Sequence, residues 1–154
     1  MRKRLIPKTL FPNKRGGGME LTYKPQLQIG PICLGMSRAD ARQILGRQWT
    51  EFKKNEFSQS TTDAYDELGI YIYYDVHDIV KGVETFPESK LAINGLQLFG
   101  KGLREISVLL GGLGFQSEET SSGINFLNGS LRFYAPDYDE NADAKVESIY
   151  VVFP

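Results

Sequence analysis

At 154 residues and a net charge of −1, the chain has room for one domain or for two small repeats sharing a core. A hydrophobic fraction of 41% with 12% aromatics excludes a disordered chain, and no apolar run approaches the ~20 residues a membrane helix needs. The single cysteine, Cys33, excludes an intrachain disulfide and, with no signal-peptide pattern at the start, leads us to expect a cytoplasmic protein.

The first 18 residues, MRKRLIPKTLFPNKRGGG, carry six basic residues and no acidic one. They read either as a basic tail suited to nucleic acid or a membrane surface, or as a start codon placed too early. In the second case Arg-Gly-Gly-Gly before Met19 is a purine-rich ribosome-binding site translated in frame. The remainder holds 12 basic and 19 acidic residues, a net −7. Such a surface disfavours phosphate backbones and speeds encounter with a basic partner, so neither nucleic acid nor membrane is expected.

GMSRADARQILG, Gly35 to Gly46, carries helix punctuation. Ser37 is a suitable N-cap with Asp40 three residues on, Ala41, Ile44 and Leu45 make an apolar stripe, and Gly46 stops the helix. FGKGLREISVLLGG, Phe99 to Gly112, repeats the pattern, and Gly35 and Gly100, Leu45 and Leu110, and Gly46 and Gly111 each stand 65 residues apart. Leu103, Ile106, Leu109 and Leu110 form its stripe, and Gly111-Gly112 is read as its end.

A polar segment follows each helix, then strands. GIYIYYD (Gly69 to Asp75) alternates β-branched and aromatic residues, and IVKGVETF (Ile79 to Phe86) closes the first copy. In the second, Asn128-Gly129 is read as a two-residue hairpin turn joining GINFL to SLRFY, and KVESIYVVF (Lys145 to Phe153) is the last strand. PESKLAING, Pro87 to Gly95, is read as a linker. The expected fold is α+β: two tandem helix-plus-three-strand units, residues 19–90 and 91–154, forming an antiparallel sheet with the helices on one face. Residues 1–18 stand apart as a basic segment.

Gly35, Met36, Ser37 and Arg38, continued by Ala41, Leu45 and Gly46, resemble the helix start that opens each tandem unit of the β-lactamase inhibitor protein family. The same look is found in the small lipoprotein of the outer-membrane β-barrel assembly machine. The second copy keeps Gly100 and Leu110-Gly111 and departs at Lys101-Gly102. The resemblance implies a sheet whose concave face grips a partner protein. Small size and acidity also give a general likeness to immunity proteins of bacterial toxin systems.

Chemistry-bearing residues are sparse. His77, the only histidine, lies between Asp75 and Asp78 and reads as a surface turn residue; a hydrolase-like or cation-binding site using it with nearby carboxylates is the alternative. Cys33, flanked by Ile32 and Leu34, lacks a basic neighbour and reads as a small apolar residue. Asp137, Asp139, Asn141 and Asp143 alternate like calcium-loop ligands, but Ala142 and Ser148 occupy the positions where that loop needs Gly and Glu. GGLG at Gly111 to Gly114 follows a helix, unlike a phosphate loop.

No cofactor or metal is expected, and the candidate site is an interface. If Ile70, Ile72, Leu131, Phe133, Ile149 and Val151 face the helices, then Tyr71, Tyr73, Arg132, Tyr134 and Tyr150 share the opposite face, with the residue types that anchor protein contacts. Asp63, Asp66, Glu67, Asp75 and Asp78 are read as charges that steer a basic partner. The expected function is that of a monomeric, non-enzymatic inhibitor or immunity protein occluding a basic toxin or enzyme. Binding of nucleic acid or a membrane surface through the basic segment is the other alternative.

Overall fold

The computed structural model describes residues 21–154, so the basic segment at 1–18 lies outside the described residues. A small antiparallel sheet comes first, made of Tyr23–Lys24 (β1), Gln28–Ile29 (β2) and Ile32–Cys33 (β3). Helix α1, Arg38–Leu45, follows, and then Thr50–Phe52 (β4), Thr62–Tyr65 (β5), Ile70–Tyr74 (β6) and Val80–Thr85 (β7). Ala92–Ile93 (β8) and Leu96–Gln97 (β9) pair as a two-stranded sheet. Helix α2, Leu103–Gly112, leads into Ser117–Thr120 (β10), Gly123–Phe126 (β11), Leu131–Tyr134 (β12) and Ser148–Val152 (β13).

The architecture corrects the expected fold class. The described chain is mostly β, with one eight-stranded antiparallel sheet ordered β10-β11-β12-β13-β7-β6-β5-β4, two small sheets and two short α-helices. It is not a pair of helix-plus-three-strand units. The polar segments after the helices supply additional strands, β4 (TEF) and β10 (SEET), at the two sheet edges. With little apolar alternation to reveal them, these strands are held by backbone pairing to β5 and β11.

Both helices form where their punctuation lies, with different caps. Ser37 accepts a hydrogen bond from the Asp40 amide at 3.1 Å, and Gly46 takes φ 92° beyond the last turn of α1. Helix α2 has no side-chain cap; the amides of Leu103 and Arg104 donate to the Ala144 and Ala142 carbonyls at 2.9 and 3.2 Å. Gly111 and Gly112 lie within α2, and the residue in the left-handed region is Gly114, at φ 90°.

Two further expectations change. The β11–β12 connection is four residues long, since Phe126 pairs with Leu131 and Leu127, Asn128 and Gly129 all take positive φ. The segment Pro87 to Gly95 is part of the core: Leu91 and Ile93 are both 0% exposed, and Thr22 bridges Ala92.

One apolar cluster unites Ala41 of α1 and Leu103, Ile106 and Leu110 of α2 with Tyr23, Ile32 and Ile93 of the small sheets and with Leu91 just before β8. From the large sheet it takes Ile70, Ile72, Val83, Ile124, Leu131, Phe133, Ile149 and Val151. The side chains alternating with these lie on the sheet's other face, outside the cluster. If the segment at 87–95 is core, Leu91→Ala lowers the unfolding free energy by about 3 kcal/mol in urea denaturation. A loss below about 0.5 kcal/mol would return it to the status of a surface linker.

Candidate functional site

Cross-strand register assembles the face opposite the core. Arg132 of β12 pairs with Tyr150 of β13, Tyr150 with Glu84 of β7, and Glu84 with Tyr71 of β6. One pleat along, Tyr73 pairs with Gly82 on one side and Thr62 on the other. Tyr134, 46% exposed, pairs with Ser148 at the other side of the row. The structure therefore brings Tyr71, Tyr73, Arg132, Tyr134 and Tyr150 onto one face, but Tyr73 is only 7% exposed, which corrects its reading as a contact residue.

Ring contacts make part of this face a packed surface. Tyr73 and Tyr150 meet edge to face with centroids 5.3 Å apart, while Tyr71 packs against Phe86 at 4.8 Å and Phe52 at 5.4 Å. Gly82 makes room for this: a Cβ there would lie 2.6 Å from the Tyr150 hydroxyl. The Tyr73 hydroxyl donates to Glu84 Oε1 at 2.7 Å, and burial together with that carboxylate pushes the phenol's pKa up. Lys54 lies 5.1 Å from the centre of the Tyr73 ring, and the Arg132 guanidinium 5.9 Å from that of Tyr150.

The steering carboxylates do not gather. Asp63 is 0% exposed, on the core side of β5, which corrects its reading as a surface charge. Arg42 holds it as a fork, Nε to Oδ2 at 2.8 Å and Nη2 to Oδ1 at 2.7 Å, with Arg38 Nη1 at 3.4 Å from Oδ1. The Tyr74 hydroxyl donates to Oδ2 at 3.0 Å. The two guanidiniums also lie over the Tyr74 and Trp49 rings, at 4.1 and 4.6 Å. This cluster fastens α1 to the sheet, and its charges are satisfied internally.

Asp66 and Glu67 are exposed on the turn before β6, whereas Asp75 and Asp78 lie on the turn after it, so the four occupy opposite ends of that strand. Asp78 pairs with Arg38 at 3.1 Å. Asp75 Oδ1 accepts from the amides of His77 at 2.8 Å and Ile79 at 3.1 Å. The exposed His77 is not among the residues lining the adjacent cleft of ≈ 420 Å³, which include Lys54, Phe57, Tyr73, Asp75 and Lys81. Among the described residues no three His, Cys, Asp or Glu side chains converge as metal ligands, and no helix is long and apolar enough to cross a membrane. Cys33 is half-buried.

Glu84, Gly82, Phe52 and Phe86 escape a reading centred on tyrosine, although the alternation of β7 places Glu84 on the same side as Gly82. Arg38 and Arg42 carried a sequence signal, being four residues apart on one helix, but nothing local marked Asp63 as their buried partner. Comparison with protein-family models, curated proteins and solved structures finds no match to this chain.

Two outcomes test the electrostatics. Asp63→Asn leaves two arginines around a neutral amide and costs about 3 kcal/mol in urea denaturation, whereas an unchanged midpoint would mean the cluster is not a tether. The amides of Ile79 and His77 hold the Asp75 carboxyl below its ordinary value of 3.8. Its contribution to stability is therefore complete above pH 3.8 and is lost as the pH falls through the lower folded value. Asp75→Asn flattens that acid limb of the stability profile, and a profile of unchanged steepness would contradict the turn's role.

Proposed function

We propose that this is a protein-binding module, an inhibitor or immunity protein that neutralises a basic toxin or enzyme by covering its working surface. The observation that carries the reading is the sheet face outside the apolar core, where Tyr71, Tyr150 and Arg132 stand in adjoining register with Phe52 and Phe86 beside them. Tyrosine and arginine on a rigid sheet offer large contact area and polar ends, with little conformational freedom left to lose. The short resemblance of Gly35 to Gly46 to the helix start of the β-lactamase inhibitor protein family, and the general likeness to immunity proteins in size and acidity, support the same reading. So does the acidity of the chain beyond its first 18 residues, which favours a basic partner. We place its action in the cytoplasm and its working form as a monomer.

Expressed full length with a tag in its own host, the protein retains one stoichiometric basic protein that is toxic when made alone. Tyr71→Ala combined with Tyr134→Ala weakens that complex by about 100-fold while the far-ultraviolet circular dichroism stays native. A folded double variant that holds its partner as tightly as the wild type would remove this face from the interface.

A further inference from the structure

Glu84 is the half-buried carboxylate at the middle of the aromatic face. Tyr150 and Tyr71 flank it as its cross-strand partners, and the Tyr73 hydroxyl occupies Oε1 at 2.7 Å. The ion pairs among the described residues join Arg38, Arg42 and Arg104 to Asp63, Asp78, Glu51 and Asp143, and none includes Glu84. On this face Lys54 lies 5.1 Å from the centre of the Tyr73 ring and the Arg132 guanidinium 5.9 Å from that of Tyr150. Glu84 is half-buried, so its carboxylate stays within reach of an incoming group while the Tyr73 phenol fixes one of its oxygens.

We propose that Glu84, held by the hydroxyl of the buried Tyr73 and flanked by the half-buried Tyr71 and Tyr150, forms a receptor for one cationic side chain, an arginine or lysine of the bound partner. A carboxylate flanked by aromatic rings suits a guanidinium or ammonium. The charge pairs with the carboxylate, and the ring faces attract the cation by their quadrupoles. The Tyr73 hydrogen bond holds the carboxylate in place, which reduces the ordering needed when the cation arrives. Lys54 and Arg132 of the chain itself already lie beside rings of the same cluster, the geometry a cation takes over an aromatic face. The inference rests on the protein-binding reading only in that the cation arrives on a partner.

The test uses small probes. n-Butylguanidinium and n-butylammonium are titrated into the full-length protein, with neutral n-butylurea as control, while the ring resonances of Tyr71, Tyr73 and Tyr150 are followed by NMR. The cations produce saturable shifts at these rings, the urea does not, and Glu84→Gln weakens the cations by about tenfold. Equal shifts with the urea, or unchanged cation affinity in Glu84→Gln, overturn the proposal. Should Glu84→Gln fail to fold, Tyr71→Leu removes one ring and keeps the carboxylate, and unweakened cation binding in it is likewise fatal. Cation binding by a chain that captures no partner supports the receptor and refutes the protein-binding reading. A captured partner held as tightly by Glu84→Gln does the reverse.

Discussion

The pairing of β13 with β7 is the contact on which the rest of the structure depends. It brings the last strand of the chain against one from its middle, Ile149 opposite Thr85 and Val151 opposite Val83. The Thr85 hydroxyl donates to the Ile149 carbonyl at 2.9 Å within the core, and Val83, Ile149 and Val151 are 0% exposed. Without this seam β7 and β13 would each present an unpaired apolar edge, a strong template for aggregation. With it, the edges of the large sheet are the polar β4 and β10.

The same seam creates the candidate site. Tyr150 and Glu84 are far apart in the chain and become neighbours only because β13 lies beside β7. Alternation then does two jobs along the same strands: Ile149 and Val151 close the core while Tyr150 projects the other way. Gly82 gives up its own side chain so that the Tyr150 phenol can lie over β7 beside Tyr73. Packing on the covered side thus positions the rings on the other.

Charge is divided between the two sides with different consequences. On the core side Asp63 is surrounded by Arg38, Arg42 and the Tyr74 hydroxyl, and Arg42 reaches on to Glu51 at 2.6 Å. Hydrogen bonds from Arg42 and Thr61 hold the Glu51 carboxyl below its ordinary range. That network orients a short helix which, at eight residues, has little stability of its own. On the other side Glu84 keeps only a neutral hydrogen-bond donor, the phenol of Tyr73.

What the sequence determined by itself was local. Ser37 and the stripe of Ala41, Ile44 and Leu45 specify α1 because capping and helical periodicity act within a few residues, and alternation in IYIYY sorts β6 into two faces for the same reason. The sharing of one face by Tyr71, Tyr73, Arg132, Tyr134 and Tyr150 was legible on that basis. The strands β4 and β10 were not, because TEF and SEET carry almost no apolar alternation and exist through hydrogen bonds to neighbours already in place. The burial of Asp63, the core role of Leu91 and Ile93, and the meeting of Glu84 with Tyr150 were decided only in three dimensions. Each depends on which distant segments pair, and that is set by the fit of the whole core rather than by any local pattern.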